Sequence, residues 1–276
     1  MRKLYMQMYS FMEGAHYNTV ENLRLASQMG CDGVELIGLD LQVPLNELKN
    51  QLAEYHLEPI SIHVPQTDMV EQLIPVAMAL DMKFIGIGME YLKDENAVHR
   101  FAEKLNHLGR KCLEKGLVLT YHNHTQEFLP CEGQRIIDTL MYETDQKWVS
   151  FELDAGWCAA AGFDPIELIK QYSGRFKLIH IKESSKVIGP QAAIDFENIK
   201  KDEKGMPIFS TEEKEILVKQ QRINCAAGEG LVDWKALTKI ADAHGCKAYI
   251  VEREWSPHET RKECLKADID YYRTQI

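Results

Sequence analysis

Short apolar runs alternate with longer amphipathic stretches from one end of the chain to the other. The runs are KLYMQMY (3–9), GVELI (33–37), PISIHV (59–64), FIGIG (84–88), LVLTYH (117–122), VSFELD (149–154), KLIHIK (177–182) and AYIVER (248–253). Between the first two, NTVENLRLASQMG (18–30) spaces its apolar positions for one face of a helix and stops at Gly30, a helix-terminating residue. The same pattern recurs near 44–55, 69–81, 94–115, 133–143, 165–172, 233–245 and 259–274. The stretch from Asp94 to Gly116 starts acidic and finishes basic before its closing glycine, as the helix dipole favours.

Eight strand-like runs alternating with eight helix-like runs predict parallel strands with helical crossovers. Eight units, with no GxGxxG after the first strand, favour a closed (β/α)8 TIM barrel over an open dinucleotide-binding sheet. The 276 residues suit one such barrel domain spanning 1–276. One segment breaks the rhythm: residues 184–232 separate the seventh strand from its helix. Long loops in compact domains are functional or disordered, and a βα connection of a barrel lies on its catalytic face. The insertion is therefore expected to be a substrate lid, or else an oligomer contact, with its charged stretch ENIKKDEKGMPIFSTEEK partly mobile.

Composition narrows the function classes. The net charge of −10 comes with scattered rather than striped basic residues, which argues against a nucleic-acid partner. Seven cysteines without a CxxC pair read as free thiols of a reducing compartment. The N-terminus shows no apolar signal-peptide core, and no window approaches the roughly 18 apolar residues of a membrane span. The expectation is a soluble, cytoplasmic protein.

Barrel enzymes take their functional side chains from the carboxyl ends of strands. Here those ends carry Glu35, His63, Glu90, His122 (followed by His124 and Glu127), Asp154, His180 with Lys182, and Glu252 followed by Arg253. Asp154 in ELDAGW stands between an apolar run and a glycine turn. Burying it unpaired would be costly, so it should meet a cation, the alternative being a helix cap or salt bridge. His180 and Lys182 share one side of the strand, and Glu252 must also find a partner: a metal, or a bridge to Arg253 or Lys182. Asp, His and Glu on three adjacent strands converge at the mouth. Oxygen and nitrogen donors without sulfur suit Mn²⁺, Mg²⁺, Co²⁺ or Zn²⁺.

At these residues the chain resembles the xylose-isomerase-like barrel superfamily, in YHNHTQEF (121–128), ELDAGW (152–157), HIKE (180–183), GEGLVDW (228–234) and VEREW (251–255). The YHNH segment resembles the sugar phosphate isomerase/epimerase branch and is similar to that of inosose dehydratase. The resemblance implies one metal held by carboxylates and a histidine from consecutive late strands. Asp154, His180 and Glu252 match the last three ligands. The first position departs from the epimerase pattern, which has a glutamate where this chain has His122, so the fourth ligand is His122 or Glu127.

The implied function is a metal-dependent sugar or keto-sugar isomerase/epimerase working by proton transfer through an enediolate. The alternatives are a keto-sugar or inosose dehydratase at the same site and, lastly, a non-catalytic sugar-binding barrel. Glu252 would be ligand and base. His122, His124, His63 and Lys182 are the acid/base or oxyanion-stabilising groups. Glu35, Trp157, Arg253 and Trp255 are candidates for substrate contact, the tryptophans by stacking on a sugar face. The partner expected is a small-molecule sugar, with a homo-oligomer as a further possibility.

Overall fold

The computed structural model describes residues 2–13, 17–64, 67–196, 198–200, 207–256 and 260–276. The eight apolar runs form strands β1 (Leu4–Gln7), β2 (Gly33–Ile37), β3 (Glu58–Val64), β4 (Phe84–Ile87), β5 (Val118–His122), β6 (Val149–Asp154), β7 (Phe176–Ile181) and β8 (Ala248–Val251). Each pairs in parallel with its sequence neighbour, and β1 closes on β8, giving the TIM barrel that the alternating pattern predicts.

The helices around it are α1 (Thr19–Gln28), α2 (Leu45–Glu54), α3 (Val70–Ala79), α4 (Glu95–Leu113), α5 (Ile136–Glu143), α6 (Ala155–Ala160), α7 (Pro165–Gln171), α8 (Thr211–Gln221), α9 (Trp234–Ala243) and α10 (Arg261–Gln275). Their starts follow from local chemistry. Asn18, Asp94, Asp164, Asp233 and Thr260 each stand just before a helix and accept a first-turn N–H with the side chain. Two elements differ from the periodicity. The helix expected from 133 begins at Ile136, because Gln134–Arg135 pairs with Pro130–Cys131 in a short antiparallel ribbon, turned through Gly133 at φ 82°. A further short helix, α6, follows β6 at once, started by Asp154 itself.

Gly156 in α6 explains one letter of ELDAGW. A Cβ there would lie 2.2 Å from the backbone oxygen of Lys182 on the neighbouring connection. Gly156→Ala is expected to push α6 outward and cost about 1–3 kcal/mol, as overpacking does. Urea titration measures it, and an unchanged midpoint would refute the close-packing account.

Along the inward-facing positions the barrel lining changes from apolar to charged. Tyr5, Ile60, Phe84, Leu178, Ala248 and Ile250 form a buried apolar cluster. Two residues further along β1, β7 and β8 come Gln7, His180 and Glu252, all buried. Because side chains alternate with period two, each such pair faces the same way, so the apolar floor is overlain by a polar layer toward the carboxyl end.

Residues 182–233 connect β7 to α9 and contain α8, which buries none of its residues. The base of this connection is drawn shut. Ser184 bridges Asn224, Ser185 N–H donates to the Ile223 carbonyl at 2.7 Å, and Leu231 N–H donates to the Ser184 carbonyl at 3.0 Å. The expected mobility of its charged stretch falls partly on Glu197 and 201–206, outside the described residues. Among the described residues no helix is long and apolar enough to cross a membrane.

Candidate metal centre

Four consecutive barrel strands deliver the central group. His122 ends β5, Asp154 ends β6, His180 is the penultimate residue of β7, and Glu252 follows β8 directly. The parallel register sets Asp154 beside His180 and His180 beside Ile250, so the three late side chains emerge at neighbouring levels. One donor atom from each of the four lies within 4.8 Å of all the others. His122 Nε2 is 3.4 Å from Asp154 Oδ2, and His180 Nδ1 is 3.4 Å from Glu252 Oε2 and 4.0 Å from Asp154 Oδ2.

The hydrogen-bond pattern shows what this space suits. Asp154 Oδ1 accepts the Trp157 N–H at 2.7 Å, which starts α6. Asp154 Oδ2, both ring nitrogens of His122 and His180 Nδ1 are buried with no hydrogen-bond partner among the described residues. An unsatisfied buried polar atom costs about 1–3 kcal/mol, and three of these, His122 Nε2, Asp154 Oδ2 and His180 Nδ1, stand round one space. Two imidazoles and two carboxylates without sulfur are donors for a divalent ion, so the residues present fit such a metal.

The electrostatics agree. Burial works against a charged His180, yet the carboxylates of Glu152, Glu252 and Glu35 raise it well above the usual imidazole range: the field at the centre favours a cation. Burial pushes Asp154 up to about 7 against the pull of Lys182. Glu252 is held well below the usual carboxylate range by Lys182 and His180, despite its own burial. Burial, with His180 and His63 adding to it, drives His122 well below its ordinary value and leaves it neutral, the form that can donate a lone pair.

Deeper in the barrel is a second set: Glu35, His63, Glu152 and again His180, also within 4.8 Å of one another. Here most atoms are already paired, the exception being Glu152 Oε1, 3.1 Å from His180 Nε2 but without a hydrogen bond. His63 Nε2 is 2.5 Å from Glu152 Oε2, and His180 Nε2 is 2.8 Å from Glu35 Oε1. Glu35 also accepts from Gln7 Nε2 at 2.6 Å and from the Ser61 hydroxyl. His63 has room for its ring because residue 86 is glycine; a Cβ there would lie 2.5 Å from it.

Above the centre, the Lys182 ammonium lies 4.4 Å over the Trp157 ring, 2.5 Å from Glu254 Oε2 and 3.5 Å from Glu252 Oε2. Ile223, from the insertion, packs with Trp157 in a small buried cluster. The ring of His124 lies 4.9 Å from that of His122 and 5.8 Å from that of Trp157. Burial drives His124 well below its ordinary value, so it is neutral.

Three residues are placed differently from expectation. Glu127 is outside both sets: its carboxylate accepts the Tyr121 hydroxyl at 2.5 Å and the His124 N–H at 2.7 Å, bracing the turn after β5 instead of facing the metal space. Glu35 is fully buried within the barrel lining and has no surface for a substrate. Arg253 turns outward from the barrel to α10, donating to Asp268 at 2.6 and 2.8 Å and to the Cys225 carbonyl at 2.9 Å. Trp255 is half-buried.

Two residues went unassigned in the sequence. Glu152 stands two positions before Asp154 on β6, so strand alternation already placed both carboxylates on one side. Glu254 stands two after Glu252, but β8 ends at Val251, where alternation stops being a guide.

Elsewhere the motifs lock together. Glu183 of HIKE accepts the Gly228 N–H at 2.7 Å and the Trp234 indole N–H at 2.6 Å, joining the two ends of GEGLVDW.

Comparison with known proteins follows the same lines. Inosose dehydratase of Clostridium perfringens is 28% identical over 169 residues, which cover 61% of this chain and 51% of that protein. The chain thus spans about half the length (51%) of the curated relatives it matches first. A sugar phosphate isomerase/epimerase structure from Parabacteroides distasonis is similar with a TM-score of 0.73 and 18% identity, covering 98% of this chain and 93% of that one. A structure described as IOLI protein with a binding zinc atom gives 0.68 and 15%, covering 99% of each chain. At such identities the solved structures speak for the fold. A family model described as xylose isomerase-like TIM barrel matches residues 23–275, and the chain belongs to that family.

Proposed function

We propose that the protein is a divalent-metal-dependent enzyme that removes the proton beside the carbonyl of a small keto-sugar or inosose, with dehydration as the outcome. The observation that carries this reading is the convergence of His122, Asp154, His180 and Glu252 on one space, with three buried polar atoms there lacking hydrogen-bond partners. These four residues would hold the ion, Mn²⁺, Mg²⁺, Co²⁺ or Zn²⁺, with His122 rather than Glu127 as the fourth. Bound there, it supplies Lewis acidity at the substrate carbonyl. The zinc in the IOLI protein structure supports a metal on this fold.

The chain's own groups divide the remaining work. Glu252 is the carboxylate at the centre that takes the carbon-bound proton. Lys182, held charged by Glu254, Glu252 and Asp154 against its burial, stands on the Trp157 side as the acid for the leaving hydroxyl, with neutral His124 beside the same ring as a hydrogen-bonding group. The proton taken by Glu252 leaves a carbanion whose electron pair forms the new double bond as hydroxide departs. The acid group protonates that hydroxide to water. With a histidine in the first ligand position, base and acid are unlike groups, which suits elimination better than the matched carboxylates of an epimerase. The inosose dehydratases among the relatives support this outcome.

Isomerase/epimerase is the second reading, and one observation favours it. Glu254 is a second carboxylate at the mouth, held on Lys182. Incubation with inososes and keto-sugars in D₂O with Mg²⁺, followed by NMR, separates the two. The expected result is an unsaturated or dicarbonyl product one water lighter. Deuterium exchange with the mass of water retained supports the isomerase instead, and neither change with any substrate of this class sinks the enzyme reading.

A further inference from the structure

The inner set poses a question that the metal centre leaves open: why does a barrel lining bury two glutamates behind the ligand histidine? We propose that Glu35 and Glu152 are positioning residues that determine which nitrogen of His180 faces the metal. This rests on the metal-site reading above.

His180 lies between the two sets and faces each with a different nitrogen. Its Nε2 is 2.8 Å from Glu35 Oε1 and 3.1 Å from Glu152 Oε1. Its Nδ1 points the other way, 3.4 Å from Glu252 Oε2 and without a hydrogen-bond partner. A histidine that holds an ion is neutral, with one N–H and one lone pair, so each nitrogen can do only one job. With the hydrogen on Nε2, that atom donates to Glu35, and the Nδ1 lone pair is free on the side of His122, Asp154 and Glu252. The reverse tautomer would face a lone pair against two buried carboxylates, a repulsive contact in a region of low dielectric.

The inner carboxylates are themselves pinned. Glu35 is gripped by Gln7 and Ser61 from the two flanking strands, and Glu152 by His63, whose ring rests in the space left by Gly86. The ring plane of His180 is thus fixed from behind by five residues on β1, β2, β3 and β6.

The inner set also meets the distance requirement for a metal, but the two placements exclude each other. An ion there would need the His180 Nε2 lone pair, leaving an N–H on Nδ1 and withdrawing a ligand from the outer set. In the inner set His63, His180, Glu35 and one oxygen of Glu152 are hydrogen-bonded at 2.5–2.8 Å, whereas in the outer set His122 Nε2, Asp154 Oδ2 and His180 Nδ1 stand 3.4–4.0 Å apart without hydrogen-bond partners. The structure therefore assigns one ion per chain, outside, with a carboxylate backing its histidine. Such backing carboxylates orient a ligand histidine and raise its basicity, and removing one costs about 10–100-fold in metal affinity.

The test uses the whole chain and Zn²⁺ alone. Calorimetry is expected to give one ion per chain for the unaltered protein and the same stoichiometry with about 10–100-fold weaker binding for Glu35→Gln and Glu152→Gln. Long-range ¹H–¹⁵N spectra of the histidine-labelled, unaltered protein are expected to show His180 protonated at Nε2 and coordinated through Nδ1, a signature no merely structural role would produce. This second measurement needs no variant to fold. Equal affinity in both glutamine variants, coordination through Nε2, or two ions per chain would overturn the assignment while leaving a metal protein. No uptake by the unaltered protein sinks the metal reading itself.

Discussion

Asp154→Asn is expected to abolish metal uptake while leaving the fold intact. Its two carboxylate oxygens have separate duties. Oδ1 accepts the Trp157 N–H that starts α6, and Oδ2 faces the metal space without a partner. Asparagine keeps the first duty, because its side-chain oxygen caps a helix about as well as that of aspartate. It loses the second, because the negative charge that neutralises the ion is gone. Loss of Lewis-acid assistance is worth several kcal/mol, and about 4 kcal/mol corresponds to roughly a thousandfold in turnover. Elemental analysis of the purified variant, with circular dichroism as the folding control, reads both halves. Glu127→Gln is the companion measurement. Its carboxylate serves Tyr121 and His124 on the outer wall of the turn, so the ion should stay bound. Retained metal in Asp154→Asn, or its loss in Glu127→Gln, would exchange their roles.

The second large effect is on stability. Arg253→Met leaves Asp268 buried without its guanidinium and the Cys225 carbonyl without its donor. Both partners of the pair are about 5% exposed on their side chains, 5% and 6%. Removing one partner of a buried ion pair costs about 3–5 kcal/mol, since the remaining charge has no water to return to. For a chain of this size that lowers the melting temperature by on the order of 10 °C. The affinity for Zn²⁺ should not change, because Arg253 joins β8 to α10 and turns away from the metal space. A variant that melts normally but binds substrate poorly would restore Arg253 to the substrate-contact role.

Several parts of the site could be read before any coordinates. Asp154, His180 and Glu252 each follow an apolar run, and in a parallel barrel the ends of such runs must gather at one mouth. His63 and His122 were recognisable in the same way, though not the level at which each would sit. What misled was the distance from strand to carboxylate. Glu127 is five residues past the end of β5, and whether it returns to the axis depends on the turn between them. That turn carries Glu127 to Tyr121. Arg253 is adjacent to Glu252 in the chain, but both lie past the end of β8, and what turns Arg253 to α10 is the buried carboxylate of Asp268. Glu152 was missed for the converse reason, although alternation from Asp154 would have found it.

The sequence by itself determined the barrel, the order of its strands, the mouth as the place where polar groups gather and the donor types found there. Each of these follows from local periodicity and from the rule that parallel strands expose their carboxyl ends together. Tertiary structure alone decided that His122 and not Glu127 stands beside the other three, that Glu35 lies in the inner set and not at the rim, and that His180 belongs to two sets at once. These depend on strand register and on the level of each side chain along the barrel axis. A one-residue shift in register turns a side chain from the lining to the outer face, and no local pattern records which register the closed sheet adopts.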